Sequence, residues 1–571
     1  MITRHTGAAL VLLTVFAAAV ATQTTPPAVQ TPTAPTPTAA TPPAPTPAPA
    51  APVPCNQAVP PCGADSLPQP GVPKGELIKG EFAASTIYPG TWREYWVYLP
   101  AGLDRTTPAP VMVFQDGLQY QAPVVFDNLI ARKAIPPMVG VFVMHGRVKS
   151  GRDDARDRMN RSYEFDSVND TYARFLLDEM LPFVEKTHGI ALTKDPNARA
   201  IAGNSSGAIA AFAAAWTRPD AFRRVFSAIG TYVGLRGGNN VALHVRLSEP
   251  KPIRVFLQDG KNDLNNYTGD WFMTNQDMLS ALTYAGYDVA HEWGDGEHNS
   301  RHATAIFPKV VEWLWKGYPA PIVANAANAS KQDVTQLTIL GEGWTPIDQQ
   351  TTVDGWVAGP DERRYRAMRA TKQIVARRDG GTAAVIAEHT PASALTVSHA
   401  GHVYAVDEIS HTLYFVPKGG VAKAIDETLA RPAGVALSAD HGQLYVADAE
   451  RQLSYAYRIQ PDGTPVDKQP YIYVQHMPGA VHEIGAGAMA VDTEGRIYMA
   501  TTLGVQVFDQ LGKCHGILRM PGEGAVTTVT FSGPEFSHLV VVRGGVAYAR
   551  KINAKGLPSW FAPVLPPAPR L

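Results

Sequence analysis

The sequence predicts two successive architectures: an α/β fold built on a mainly parallel sheet over about 73–319, then an all-β propeller over about 330–563. Three observations carry this expectation. In the first region, apolar runs of strand length such as "PVMVFQDG", "MVGVFVMHG" and "IRVFLQDG" alternate with longer helical patterns such as "NDTYARFLLDEMLPFVEKTHG". Continuous apolar strands separated by helices are what a parallel sheet covered on both faces requires. In the second region, a Gly-x-hydrophobic-Tyr strand followed by another strand recurs in "GHVYAVDEISHTLYFVPKGG", "GQLYVADAERQLSYAYRIQPDG" and "GRIYMATTLGVQVFDQLGK". Recurrence every several tens of residues marks propeller blades, whose apolar faces are buried only against one another. Finally, 571 residues exceed what one ordinary core accommodates.

The N-terminus reads as an export signal over residues 1–21. Arg4 and His5 precede the apolar run Ala8 to Val20, and Ala19-Val20-Ala21 offers small residues for cleavage. That run is too short to span a bilayer comfortably, and no later stretch is long and apolar enough to do so. The mature protein is expected to be soluble and secreted or periplasmic. Residues 22–72 form a linker, almost entirely Pro, Ala and Thr from about Thr24 to Pro54, a composition that favours extended polyproline conformations over a core. In an oxidising compartment Cys55 and Cys62 of "CNQAVPPC" are expected to form a local disulfide. Cys514 is left as a buried small apolar residue, and none of the three has metal-ligand spacing. Lys and Arg number 50 against 51 Asp and Glu, so no basic field exists to attract nucleic acid.

A parallel sheet places its ligands at the carboxyl ends of its strands. The strand "RAIAG" runs into Ser205, and "SGAIAAFAAAW" forms a helix behind it. Gly203 and Gly207 flank the serine in G-x-S-x-G spacing, where absent side chains permit a strained turn and close helix-to-strand packing. Ser206 then stands at the amino end of the helix with its N–H free to stabilise an oxyanion. A second oxyanion donor is expected after an early strand: in "VFQDGLQY", Gly117 lets the backbone turn in and the N–H of Leu118 is available.

A serine nucleophile needs a base and a carboxylate to orient that base, supplied later in the chain with the acid before the histidine. "IRVFLQDGKNDLNN" offers Asp259 and Asp263; Asp263 is preferred because Asp259 lies at the strand edge, where a turn-shaping role fits it better. "EWGDGEHNSRHA" offers His298 in the loop and His302 at the start of the next helix, and the loop residue is preferred. Each residue alone has an ordinary alternative: Ser205 as a helix cap, Asp263 as a turn former, His298 as a surface residue. Their joint placement at strand ends, in the order Ser205, Asp263, His298, favours a catalytic triad. The basic run Arg147, Lys149, Arg152, Arg156, Arg158 and Arg161, interspersed with Asp153, Asp154 and Asp157, reads as a solvated loop rather than a binding mouth.

Together "VYLPAGLD", "VMVFQDGLQY", "RSYEFDSVNDTYARFLLDEMLPFVEK", "AIAGNSSGAIAAFAAAW", "RVFLQDGKNDLNN" and "GDGEHNSRHATAIFPKVVEWLW" resemble the enterochelin esterase-like branch of the esterase D family, which includes feruloyl and acetylxylan esterases. The resemblance covers essentially all of 73–319. It implies an α/β-hydrolase serine esterase without cofactor, with Ser205, Asp263 and His298 on the triad positions. The ester it implies is of the enterochelin, feruloyl or acetyl-sugar type, on a small molecule or saccharide.

The second region resembles the gluconolactonase/regucalcin-like family through "RPAGVALSADHGQLYVADA" and "GAMAVDTEGRIYMATTLGVQVFDQLG", which implies six blades around a metal held by a Glu, Asn and Asp set. This chain departs from that set. Ala433 stands where the family pattern has Asn, Gly487-Ala488-Met489 where it has Asp-Gly-Met, and Asp354-Gly355-Trp356 where it has Glu-Gly-Pro. Ala and Gly carry no side-chain oxygen, so no metal is expected there, and Asp354 is either a relic ligand or a turn residue. Two functions therefore compete: a secreted serine esterase with an assisting propeller, and a lactonase or carbohydrate-binding protein in which the propeller acts. An intact triad beside a depleted metal set favours the first.

Overall fold

The computed structural model describes residues 54–324, 332–347, 356–477, 484–522, 524 and 526–569. The expected export signal, the linker before Pro54, and Asp354 and Gly355 lie outside the described residues. Cys55 and Cys62 are joined in a disulfide. Cys514 is only half-buried, although its surroundings push the thiol up to about 12. No described helix is long and apolar enough to cross a membrane.

The first region is built on an eight-stranded sheet of β1 (Glu76–Phe82), β2 (Arg93–Leu99), β3 (Val111–Gln115), β4 (Val139–Val143), β5 (Arg199–Asn204), β6 (Arg224–Ala228), β7 (Arg254–Gly260) and β8 (Asp288–Gly294). The spatial order is β1-β2-β4-β3-β5-β6-β7-β8. Pairing is antiparallel between β1 and β2 and between β2 and β4, and parallel throughout the rest. The apolar runs follow from burial on two faces. Val111, Val113, Ile201, Val225, Val255 and Leu257 enter one core layer, while Met112, Phe114, Ala200, Ala202, Phe226 and Phe256 enter the other. Helices α1 (Ala122–Ala131) and α5 (Arg301–Trp315) cover the second face; α2 (Ser206–Thr217) covers the first. Between them in sequence lie α3 (Val241–Leu247) and α4 (Trp271–Tyr284).

The second region forms five four-stranded antiparallel blades among the described residues, not the six implied by resemblance. Blade 2 opens with Ala394–Val397, blade 3 with Pro432–Leu437, blade 4 with Met489–Val491, and blade 1 runs from Val357–Ala358 to Ala384–Ala387. Blade 5 takes Val526–Ser532, His538–Arg543 and Val546–Lys551 from the end of the chain and its fourth strand, Thr345–Ile347, from the start. A sixth blade would need strands of its own. The strand ahead of blade 1 is already used to complete blade 5, which clasps the two ends of the propeller chain together.

The two regions share a packed seam. Met477 of the propeller enters the core layer of the first sheet, with its Sδ 2.8 Å from Nδ1 of His244 on α3. Burial, with His476 and Lys251 nearby, pushes His244 down to about 4, so the imidazole is neutral. Fully buried Gln332 donates to the carbonyls of Arg246 and Ser248 at 2.7 and 2.6 Å. Arg550 grips Glu249 through two hydrogen bonds of 3.0 and 2.7 Å.

Because the Arg550 side chain is 8 % exposed, Arg550→Ala strands Glu249 and should lower stability to denaturant by about 2–4 kcal/mol. Arg458→Ala removes an ion pair with Asp467 whose partners are 54 % and 61 % exposed, and should cost under about 0.5 kcal/mol. Equal midpoint shifts in urea would contradict the distinction.

Candidate active site

β5 runs straight into Ser205, which adopts φ 55° and ψ −123°, and α2 begins at the next residue. A non-glycine residue held at positive φ costs of order 1–3 kcal/mol and persists only where its surroundings enforce it. The enforcing contacts are visible. A Cβ on Gly203 would lie 2.2 Å from the carbonyl oxygen of Gly207, so the first turn of α2 can press onto the end of β5 only because residue 203 has no side chain. The Ser205 N–H donates to the Ala228 carbonyl at 3.0 Å, and its carbonyl accepts from Thr231 N–H at 3.3 Å. The hydroxyl is thereby lifted above the carboxyl edge of the sheet.

His298, in the loop after β8, places Nε2 2.9 Å from Ser205 Oγ and Nδ1 2.5 Å from Oδ1 of Asp263, in the loop after β7. The Asp263 oxygen also accepts the Leu264 N–H at 2.5 Å. Burial opposes the charge on Asp263, but hydrogen bonds from His298 and Asp259 together hold its carboxyl below the ordinary range. An Nδ1–H donated to this carboxylate leaves Nε2 as the acceptor facing the serine hydroxyl. The structure thus brings together the three residues that the sequence put at separate strand ends.

His302 is elsewhere. It is the second residue of α5, 8 % exposed, with Nδ1 3.2 Å from Gln258 Nε2 and Nε2 3.7 Å from Glu292. Its imidazole packs under Gly294, where a Cβ would lie 2.6 Å from Nδ1. Asp259 accepts the Gly260 N–H at 2.6 Å, the turn-shaping contact expected of it, and is also completely buried beside Asp263.

The residues expected to supply the oxyanion donors lie on two elements next to Ser205. Ser206 is the first residue of α2, where a backbone N–H has no intrahelical acceptor. β3 pairs with β5, so the loop after β3 adjoins it; a Cβ on Gly207 would meet Asp116 Oδ2 at 3.2 Å. Gly117 has φ 79°, and a methyl there would meet Met144 Sδ at 2.9 Å and Trp96 at 3.0 Å. The Gly117 N–H points to the Val143 carbonyl at 3.4 Å, so it is already engaged.

Several supporting residues escaped the sequence. Thr231 Oγ1 lies 3.2 Å from Ser205 Oγ and accepts from Trp271 Nε1 at 3.4 Å, while the Trp271 ring meets His298 edge-on at 5.6 Å. Neither belongs to a motif, since α4 and the loop after β6 are brought in only by the fold. Arg161 departs from the solvated reading of the basic run: it holds Asp116 through bonds of 2.9 and 2.7 Å. Burial opposes the charge on Asp116, yet the Arg161 guanidinium and His145 keep its carboxyl below the ordinary range. Arg152 fits that reading, pairing with Asp154 while both are largely exposed, whereas half-buried Arg147 pairs in a short ladder with Met159 and lies 5.5 Å over the Trp92 ring.

In the propeller, Ala433 and Gly487 sit at the inner strands of blades 3 and 4 and offer no side-chain donor. The backbones close up beside them, since a Cβ on Gly434 would lie 2.1 Å from the Gly487 carbonyl oxygen. Among the described residues no group of three or more His, Cys, Asp or Glu is arranged to hold a metal. Ala433 and Gly487 do not fit the metal of the resembled family, and Asp354 lies outside the described residues.

Residues 88–298 match the family model described as "Putative esterase", and residues 390–544 match that of the SMP-30/Gluconolactonase/LRE-like region. A search of curated proteins returns no match. Among solved structures, the enterobactin esterase of Shigella flexneri with enterobactin is 20 % identical, covering 44 % of this chain and 61 % of that one at a TM-score of 0.36. The ferulic acid esterase of the anaerobic fungus Anaeromyces mucronatus is 17 % identical, covering 44 % of this chain and 96 % of that one at a TM-score of 0.34. The first region is an esterase-family domain, a carboxylic ester hydrolase, and a gluconolactonase-like propeller follows it.

The two glycines of the turn should differ in tolerance. Gly203→Ala drives a methyl into a backbone carbonyl at 2.2 Å and should abolish soluble expression or lower the melting temperature by ten degrees or so. Gly207→Ala meets only Gln115 Cβ at 3.0 Å and Asp116 Oδ2 at 3.2 Å, and should fold with a smaller loss. Thermal melts of the two variants, read side by side, check the ranking.

Proposed function

On the premise that residues 88–298 carry an esterase of the matched family, we propose that the protein is a secreted serine esterase acting through an acyl-enzyme. The observation that carries this reading is the continuous hydrogen-bonded chain Ser205 Oγ, His298, Asp263, at the carboxyl ends of β5, β8 and β7. His298 Nε2 takes the hydroxyl proton as Ser205 Oγ attacks the ester carbonyl. The N–H groups of Ser206 and Leu118 meet the oxyanion that develops. His298 returns the proton to the departing alcohol, and water, activated by the same imidazole, then hydrolyses the acyl-serine. Asp263 keeps the imidazole in the required tautomer and stabilises its charged form. The substrate is an ester of the enterochelin, feruloyl or acetyl-sugar type, the classes the resemblance implies, and no metal takes part.

Three outcomes are expected with aryl acetates as substrate. Ser205→Ala and His298→Ala each lose at least ~10³-fold in turnover, and the double variant loses little more, because the residues act as one unit. His302→Ala stays within about tenfold of the parent, as its imidazole reaches Gln258 and Glu292 rather than the serine. A dead His302→Ala beside an active His298→Ala would reverse the assignment.

The gluconolactonase-like match makes the propeller the rival site. Exhaustive chelation should leave ester hydrolysis unchanged, and the full chain carrying Ser205→Ala should open gluconolactone no faster than buffer, with or without added calcium or zinc. Metal-dependent opening by that variant would move the principal site to the propeller.

A further inference from the structure

The carboxyl end of β7 sets a second carboxyl against the triad acid. Asp259 is fully buried, and the Asp263 side chain is likewise 0 % exposed. Each has one oxygen occupied: Asp259 Oδ1 accepts the Gly260 N–H, and Asp263 Oδ1 takes His298 Nδ1 and the Leu264 N–H. The other oxygen of each, Oδ2 in both cases, is sealed from solvent and is reached by no N–H or hydroxyl donor. The two carboxyls lie within hydrogen-bonding reach of one another. The charged groups that act on Asp259 are Asp263 and Asp270, with His298 on the far side of Asp263, and no Lys or Arg pairs with it among the described residues. Two buried carboxylates in contact cannot both stay ionised. A single proton between them satisfies both stranded oxygens at once.

The proton belongs on Asp259. Asp263 has two donors, one of them the imidazole, to stabilise a negative charge; Asp259 has only a backbone N–H. We infer that Asp259 is a positioning residue for the esterase reaction: as a neutral carboxylic acid it donates its O–H to Asp263 and fixes that carboxylate in the orientation that meets His298. This inference rests on the reading of Ser205, His298 and Asp263 as the triad. Burial, then contact with Asp263, pushes the Asp259 carboxyl far above its ordinary range, in keeping with the assignment.

A sign for stability follows. A carboxyl raised in the folded state takes up a proton on folding, so its contribution worsens as pH rises from the ordinary carboxyl range towards the raised one. Asparagine at this position keeps a donor for Asp263 and an acceptor for the Gly260 N–H, with no proton to take up.

The test compares Asp259→Asn and Asp259→Leu in the full chain with an aryl acetate. Asp259→Asn should keep kcat/KM within about fivefold of the parent near pH 7, whereas Asp259→Leu, which offers no donor, should lose about 10²-fold through misplacement of the acid and base. The parent should lose activity on the alkaline side as Asp259 ionises, and Asp259→Asn should not. In a Ser205→Ala background, which reads no activity, Asp259→Asn should raise the melting temperature by an amount that vanishes near pH 4 and grows towards alkaline pH. An Asp259→Asn variant as impaired as Asp259→Leu, or a melting-temperature gap independent of pH, would overturn the inference. Should Asp259→Leu fail to fold, the asparagine comparison still decides. Failure of the triad reading would show separately, as activity retained by Ser205→Ala with the melting behaviour unchanged.

Discussion

The positive φ of Ser205 is the constraint from which the rest of the site follows. A serine does not hold that conformation unaided; it is fixed by the absence of a side chain at Gly203, by the seating of α2 on β5, and by hydrogen bonds to Ala228 and Thr231 on the neighbouring strand and its loop. One backbone distortion does two things. It raises the hydroxyl out of the sheet towards His298, and it starts α2 at Ser206, whose N–H has no acceptor within the helix.

The groups around this turn are held by a shell of buried polar contacts rather than by apolar packing alone. Arg161 fixes Asp116 next to Gly117, at the start of the loop after β3. Arg161 opens a short helix that also carries Glu164, and fully buried Glu164 is locked to Arg93 of β2 by bonds of 2.7 and 3.1 Å. Such a pair is costly to break, because either partner alone would be left as an unpaired buried charge. The second loop is braced differently: Asp263 is oriented by Leu264, His298 and Asp259, and His298 rests edge-on against Trp271.

The propeller is held by closure. Its five blades bury their faces only against neighbours, and the clasp of Thr345–Ile347 onto Val546–Lys551 joins its beginning to its end. The seam with the first region is chemically mixed: Met477 and the neutral His244 supply apolar contact, and the Arg550–Glu249 pair and Gln332 supply directional bonds. A neutral His244 is required there, since a charged imidazole against a thioether would be buried without a partner.

Local pattern was enough for the parts of this protein that local physics governs. Two-face burial writes itself as continuous apolar strands, so the parallel sheet was legible from "PVMVFQDG" or "IRVFLQDG". The G-x-S-x-G spacing marked the strained turn because only glycines allow it, and position in a loop, rather than at a strand edge or a helix start, ranked Asp263 and His298 above their neighbours. Blades 2, 3 and 4 were legible from their tyrosine repeats; "RYRAM" of blade 1 and "SHLVVVR" of blade 5 lack that repeat, which blade 5 carries only as "GVAY" on its next strand, and the blade number carried over from resemblance was one too many among the described residues. Only tertiary structure decided what depends on side chains meeting across the fold. That Arg161 leaves a solvated run to bind Asp116, and that Thr231 and Trp271 stand beside the serine and histidine, are facts about loops from different strands converging at one sheet edge. No periodicity encodes such meetings, because the residues are up to 45 positions apart and are brought together only when the sheet forms.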